Sequence, residues 1–289
     1  MYRHRNDGTF GLIGILILIG LYIFIINPAA KDDFIKPPTQ PYYPPTKPGY
    51  NNDLPVYLHR GDILIANWNL QIFGQTKASN TILMNKYASI MKKYDIIFVQ
   101  EIRDSSGEAF QKLCKLMQEY ECTISSRAGR STSKEQVGVI HKKNIEIKSF
   151  EDYNPDTHDR WERPPIKVTF QTNNYTFIAY NIHVKPDNVL NELEYLEQIV
   201  TNTGNVVVLG DLNADCTYYS RVAQPTFINW EWIIDDYKDT TVGTTDCAYD
   251  RIILNQDMYL EYVGGGVYTQ GITSEMSDHY LVWIAINPI

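Results

Sequence analysis

The sequence predicts an α/β fold of the α+β type: two mixed β-sheets packed on each other and flanked by helices, a four-layer sandwich, preceded by a transmembrane helix. Three observations lead there. Short apolar runs of strand length alternate with segments of helical period along most of the chain. Some strands pair as hairpins while others are followed by a helix, a mixture that suggests two packed mixed sheets with helices outside. One uncharged apolar segment near the N-terminus is long enough to cross a bilayer.

That segment is Phe10–Ile26, FGLIGILILIGLYIFII. A bilayer takes about 17–25 apolar residues to cross, and so long an unbroken run is not expected of a buried core helix. Arg3 and Arg5 precede it. They keep residues 1–9 cytoplasmic and place everything after the anchor, taken as residues 10–27, outside. A cleaved signal peptide, giving a secreted protein, is the alternative, since a short basic stretch also opens such peptides. NPAAKDD offers it a poor cleavage site. Residues 28–57 are expected to be a linker. The stretch KDDFIKPPTQPYYPPTKPGYNNDLP has no hydrophobic period and is dense in proline, which favours extended polyproline II. A compact domain is expected over residues 58–289.

Within the domain, ILIANW at Ile63–Trp68 reads as a short apolar strand. Thr81–Tyr94 has a helical period, with Asn80 as its N-cap and apolar residues at Ile82, Leu83, Tyr87, Ile90 and Met91. A buried strand at Ile96–Val99 precedes a second helix near Glu108–Tyr120. Strands are expected next at Cys122–Ser126, Glu135–His141, Ile145–Phe150, Ile166–Gln171 and Thr176–Ile182. Asn173 and Asn174 make a hairpin turn between the last two. A third helix covers Val189–Val200. The valine strand ending in VVVLGD, a strand at Arg251–Leu254 and a last one at Tyr280–Ile286 complete the pattern.

With 289 residues, 44% of them hydrophobic, the chain can bury one substantial core. Its formal net charge is −8, and five of the 26 basic but four of the 34 acidic residues precede Val56. A domain this acidic does not grip nucleic acid by bulk electrostatics. Any phosphate it handles must be met by a few placed cations and by metal. The polar residues fall in one pattern. ILIANWN ends in Asn67 and Asn69, IIFVQE in Glu101, IAYNIH in His183 and VVVLGDLN in Asp211 and Asn213. STSKEQVGVI carries Glu135 at its start, CAYDRIIL opens near Asp250, and MSDHYLVWIAI opens with Asp278 and His279. Strands need no caps, so seven such segments point to a site. Carboxylates and amides suit a hard divalent cation, and histidines suit acid–base work near neutral pH. There is no Cys/His spacing for zinc and no Gly-rich phosphate loop before a lysine.

In chain order, ANWNLQIFGQTKASN, VQEIRDSSG, GRSTSKEQ, YNIHVKP, GDLNADC, DTTVGTTDCAYDRI and SDHY resemble the successive motifs of the deoxyribonuclease I family, within the endonuclease/exonuclease/phosphatase superfamily. The resemblance runs from about Ile63 to Ile286. QE, GDxN and SDH alone mark the superfamily, whereas GDLNADC together with DCAYDRI marks the deoxyribonuclease I branch.

The resemblance implies a divalent-metal-dependent endonuclease hydrolysing DNA, expected to be double-stranded, to 5′-phosphate and 3′-hydroxyl ends. It implies catalytic Mg²⁺ or Mn²⁺ and structural Ca²⁺. Glu101 and Asn69 would hold or position the catalytic metal, with Asp278 supporting that side. Asp211 and Asn213 would bind the scissile phosphate, the metal or the attacking water. His279 with Asp250 and His183 with Glu135 would form two acid–base dyads. Arg103, Arg163 and Arg130 stand at phosphate-contacting positions. Gln71 replaces an arginine that enters the minor groove, and Ser133 a tyrosine that stacks on a sugar. Asp239, Thr241 and Thr245 match one calcium loop, while Pro164 replaces an acid of the other. The family's small disulfide loop, near Tyr153–Asp159, lacks cysteines here. Cys216 and Cys247 stand where the family has its structural disulfide; Cys114 and Cys122 match no family pair, and a bridge between them depends on the second helix packing back on the next strand. The expected partners are DNA and the membrane, with the catalytic domain taken as a monomer. Two other readings remain open in the sequence: hydrolysis of sphingomyelin or phosphoinositide head groups by the same superfamily chemistry, and a catalytically silent surface binding protein.

Overall fold

The computed structural model describes His59 and residues 61–289. The anchor expected at residues 10–27 and the linker expected at residues 28–57 lie outside the described residues. Among the described residues no helix is long and apolar enough to cross a membrane.

Two six-stranded mixed sheets make up the centre. The first runs β11 (Tyr262–Tyr268), β12 (Leu281–Ile286), β1 (Ile63–Phe73), β2 (Ile96–Ile102), β4 (Gln136–Lys142) and β3 (Tyr120–Ile124). The second runs β5 (Glu146–Asp152), β6 (Ile166–Thr172), β7 (Tyr175–Asn181), β8 (Asn205–Asp211), β10 (Asp250–Leu254) and β9 (Glu231–Trp232). Each sheet has one parallel pair at its middle, β1 with β2 and β7 with β8. The other neighbours are antiparallel.

Central strands are buried on both faces, which is why they read as continuous apolar runs rather than alternating ones. In β1, Ile63 and Ile65 face the opposite sheet and join Phe98, Phe170, Val207, Leu209 and Ile284 in the inter-sheet core. Leu64, Ala66 and Trp68 face outward and pack under the helices Thr81–Met91 and Glu108–Leu116 through Leu83, Tyr87, Met91 and Phe110. On the second sheet, Val206 and Val208 pack under the helix Val189–Ile199 through Leu193 and Leu196. The layers are therefore helix, sheet, sheet, helix. Asn80 caps the first of these helices, its Oδ1 accepting from the N–H groups of Ile82 and Leu83 at 3.1 Å each, a contact worth about 1 kcal/mol.

The differences from the sequence reading have local causes. β1 and β2 continue past their apolar runs to Phe73 and Ile102, through bulges. The helix expected to reach Tyr120 ends at Leu116. Tyr120 instead opens β3, its hydroxyl donating to the carbonyls of Lys92 and Tyr94. That helix does pack back on the strand, and Cys114 is bridged to Cys122 with Cα atoms 6.3 Å apart. Cys216 is bridged to Cys247, with Cα atoms 5.9 Å apart. β11, YVGGGVY, had no strand signal because glycine is a poor strand former. The fold needs it there: a Cβ on Gly265 would stand 2.8 Å from the Trp283 carbonyl oxygen. The short helices Gln75–Ser79 and Gln256–Leu260 and the two-residue β9 span too few residues to show a period.

The topology explains why the polar residues gather. Parallel strands leave at the same end, so β1 and β2 end together, as do β7 and β8. Their antiparallel neighbours enter at that end: β4 begins opposite Ile102, β10 begins opposite Asp211, and β12 enters with Val282 opposite Asn67. Every polar exit and entry in the sequence therefore lands on one edge of the sandwich.

Candidate active site

A buried amide network joins the two sheets beneath this edge. Gln100 accepts at Oε1 from Asn67 Nδ2 (3.1 Å) and from the backbone N–H of Asp211 (2.9 Å). Its Nε2 donates to Asn181 Oδ1 (3.1 Å) and to the Ile182 carbonyl (2.7 Å). Asn181 Nδ2 closes the ring on Asn67 Oδ1 (2.8 Å). All three amides are fully buried, so each polar atom needs its partner. Gly210 leaves room for this crossing. Its φ is +152°, and a Cβ there would lie 2.0 Å from the Ile182 carbonyl oxygen and 2.8 Å from Gln100 Nε2.

Above the network stand two histidine–carboxylate pairs. His183 Nδ1 lies 2.5 Å from Glu135 Oε1, and His279 Nδ1 lies 2.7 Å from Asp250 Oδ2. The far nitrogens converge: His183 Nε2 and His279 Nε2 are 3.3 and 3.6 Å from the same atom, Asp211 Oδ2. Asp211 also accepts from Asn69 Nδ2 (3.0 Å) and from the Asn213 N–H (3.1 Å). Asn213 is in the left-handed region, φ +49°, and its Nδ2 donates to the Val184 carbonyl (2.9 Å), tying the strand exit to the segment after His183.

Glu101 occupies the bulge in β2, with φ +58°. Its Oε2 accepts from the Ile72 N–H (2.9 Å) and pairs with Arg103 (2.9 Å), and Asn69 Nδ2 approaches its Oε1 at 3.3 Å. The matching bulge in β1 puts Gln71 and Ile72 in the left-handed region at φ +45° and +53°. Bulges re-aim side chains at strand ends, and strained backbone gathers at sites where the surroundings hold it. Lys77 does part of that holding: its ammonium donates to the carbonyls of Leu70, Gln71 and Met276.

Burial and charge set the protonation of these groups. Burial opposes the charged form of His279, but Asp250 and Asp211 outweigh it and raise its pKa to about 10. Burial pushes Asp250 up to about 6 against the pull of His279. His183 is likewise raised, Glu135 and Asp211 overcoming burial and the opposing Arg163. Burial also works against ionised Glu135 and Asp211. Both are nonetheless held below the usual carboxylate range, Glu135 by His183, Arg163 and Arg103, and Asp211 by His279 and His183.

The sequence-predicted residues thus meet, with exceptions at the margin. Ligand atoms of Glu101, Glu135 and His183 lie within 4.8 Å of one another, as do those of Asp211, Asp250 and His279. Asp278 is about half exposed, 3.6 Å from His279 Nε2. Arg163 reaches Glu135 Oε1 (3.4 Å) and donates to the His183 and Val184 carbonyls. Arg103 also nears Glu135 Oε2 (3.4 Å) and donates to Ser133 Oγ. Arg130 is bound instead by Asp159 (2.8 Å) and Glu162 (3.7 Å). Asp239 Oδ1 accepts from the Thr241 N–H (2.9 Å), and Thr241 Oγ1 contacts both Asp239 and the Thr245 carbonyl. Thr241 bridges to His279, so this loop leans on the second dyad. Pro164 lines a small cleft with Glu135, Arg163 and His183.

Sequence reading missed the groups that act through others. In the sequence Gln100 is part of QE and carries no role of its own. Trp68 Nε1 donates to the His279 carbonyl (2.9 Å), and Ser277 Oγ donates to the Asn69 carbonyl (2.6 Å) while accepting from the His279 N–H (3.0 Å). The polar residue between two apolar runs, as in FVQEI, was the available signal for Gln100.

Gln100→Met is expected to strand the Asp211 N–H and the two asparagine amides. Each buried polar group left unpaired costs about 1–3 kcal/mol. Denaturant unfolding should therefore show a loss of about 2 kcal/mol or more, and wild-type stability would contradict the load assigned to this amide.

Residues 66–279 match the profile of the Endonuclease/Exonuclease/phosphatase family. The chain is 29% identical over 258 residues to deoxyribonuclease-1 of Bos taurus, covering 77% of this chain and 91% of that protein. It is 31% identical over 223 residues to deoxyribonuclease gamma of Homo sapiens, covering 66% and 71%. Its fold is similar to that of an endonuclease/exonuclease/phosphatase from Bacteroides vulgatus, with TM-score 0.59 at 15% identity, over 80% of this chain and 100% of that one. The chain belongs to the endonuclease/exonuclease/phosphatase family, in its deoxyribonuclease I branch, and is a phosphodiester hydrolase of that kind.

Proposed function

We propose that the protein is a membrane-anchored, divalent-metal-dependent endonuclease that hydrolyses DNA, double-stranded, to 5′-phosphate and 3′-hydroxyl ends. The observation that carries this reading is the approach of His183 Nε2 and His279 Nε2 to one atom of Asp211, at 3.3 and 3.6 Å. A phosphate held over that point has an imidazole on either side. One can take a proton from the entering water while the other gives one to the leaving oxygen. Glu135 and Asp250 orient the rings and stabilise their protonated forms, the usual service of a carboxylate behind a catalytic histidine. Arg103 and Arg163 supply fixed positive charge, with Asn213 as an amide donor to the phosphate. Arg130 and Gln71 are assigned to contacts further along the DNA.

A divalent cation fits the site's charge balance. Glu101, Glu135, Asp211, Asp250 and Asp278 outnumber the two arginines and two histidines beside them, so these side chains alone offer an anionic phosphate no net positive charge. The acids near one another there, Glu101 and Glu135, offer carboxylate oxygens, the chemistry that suits Mg²⁺ or Mn²⁺. Glu101 would hold the ion through Oε1. Asn69, whose Oδ1 accepts from the Gln71 N–H (2.9 Å), orients Glu101 rather than ligating, and Asp278 completes that side. Once bound, the ion would polarise a phosphoryl oxygen and offset charge in the transition state. The all-oxygen loop of Asp239, Thr241 and Thr245 suits a structural Ca²⁺.

The apolar run at residues 10–27 is assigned as the anchor, residues 28–57 as the spacer and residues 58–289 as an extracytoplasmic catalytic domain, monomeric. Two disulfides favour an oxidising compartment.

The full-length protein is expected to nick supercoiled plasmid in Mg²⁺ or Mn²⁺ and to stop on chelation with EDTA. His183→Ala and His279→Ala should each lower turnover about 10²–10⁴-fold with the protein still folded. Mutants that cut at the wild-type rate, or cutting indifferent to EDTA, would contradict the assignment. For the anchor, the protein should stay with membranes through a carbonate wash, and external protease should release the domain. A soluble product beginning near Lys31 would replace the anchor with a signal peptide.

A further inference from the structure

The cleft beside the His183–Glu135 pair holds a cation that the mechanism above does not use. Lys185 follows His183 by two residues, and its backbone N–H donates to Glu192 Oε2 at 3.1 Å. Glu192 is fully buried, and its other oxygen accepts from the Glu162 N–H at 2.9 Å. One carboxylate therefore fixes both walls of the cleft, which is lined by Arg130, Ser131, Glu162, Arg163, Lys185 and Pro186.

The cations in this cleft are not equivalent. Arg130 is committed to Asp159 at 2.8 Å and to Glu162. Arg163 is committed to Glu135 and to two carbonyls behind the dyad. The Lys185 ammonium meets the exposed Asp187 carboxylate at 3.9 Å, the limit of an ion pair, and such a pair contributes little in water. Its charge remains available to a ligand. Arg163 also lines the small cleft that contains His183 and Glu135, so the Lys185 cleft opens directly beside the reacting centre. The chain as a whole is acidic, so no general positive field competes with this placement. Across the site, Gln71 and Ser133 bring no charge.

We propose that Lys185 binds the DNA backbone phosphate next to the one being cut, on the His183 side. The inference rests on the DNA-hydrolysing reading above. A lysine suits this task because its ammonium is a compact charge with three donors, able to follow a phosphate without a fixed plane. A contact of this kind sets the position of the strand and reads no bases. It gives the enzyme hold on the strand from a single mobile side chain, where bulk charge is unfavourable.

The test uses full-length protein and a short labelled duplex. Affinity is measured by fluorescence anisotropy against salt concentration, and cleavage kinetics are measured in parallel. Lys185→Ala is expected to lower the slope of log affinity against log salt by about one charge and to raise KM several-fold, the loss falling on KM rather than kcat. Lys185→Glu should move both quantities further in the same direction, and Lys185→Arg should restore them. Lys148→Ala, at an exposed lysine paired with Glu146 on β5, should leave the slope at its wild-type value. A wild-type slope and KM in Lys185→Ala would overturn the inference. So would a loss confined to kcat, which would make Lys185 a support of the His183 segment. Wild-type protein that neither binds nor cuts the duplex would instead overturn the DNA reading itself, and this inference with it.

Discussion

One side-chain amide determines where everything else can stand. Gln100 leaves the first sheet at the end of β2, crosses the inter-sheet space and takes the Asp211 N–H at the end of β8. An apolar side chain at this point would let the sheets slide, since dispersion contacts are not directional. A fully satisfied buried amide allows one register. From that register follows the rest. Asp211 is fixed against the first sheet, Asn69 bonds to it from β1, and the two histidines reach it from segments that flank different strands. Gly210 is the concession the backbone makes to this crossing, because no side chain fits between Ile182 and Gln100.

Much of this was legible in the chain, and the limits of legibility are physical. Buried central strands announce themselves as apolar runs, so ten of the twelve strands could be placed from composition and period. β11 could not, because its glycines serve the close approach of Trp283 and give no strand signal of their own. The helix that stops at Leu116 was read as longer, because Tyr120 looks helical by period and is claimed by the carbonyls of Lys92 and Tyr94. In the candidate site, the residues that the fold gathers are visible in the sequence as acids, amides and histidines where apolar strands end. Residues that act through others are not. Lys77 is a surface lysine in sequence, and three carbonyls of two distant segments make it a clamp. The pairing of Cys114 with Cys122 is not legible in the sequence because it depends on where a helix ends, a boundary that local pattern defines poorly.

The electrostatics of the edge express a tension. Burial disfavours charge on the two histidines, Glu135 and Asp211, yet these four are held charged because each is within contact of an opposite partner. Removing one member leaves another charge unpaired in the same small volume, so the groups act as a unit. The left-handed backbone at Gln71, Ile72, Glu101 and Asn213 belongs to the same economy of position. These residues turn strand ends inward at the cost of local strain, and the hydrogen bonds of Ile72 to Glu101 and of Asn213 to Val184 hold them there. The formal net charge of −8 means that bulk charge does not draw a phosphate to the edge.

The central claim is that both dyads face a single anion site. Side-chain NMR of histidine-labelled protein, titrated with inorganic phosphate in Mg²⁺, tests it directly. The account predicts that the ring signals of His183 and His279 move together along one saturation curve with one dissociation constant. Movement of one ring alone, or of the two with separate constants, would contradict it.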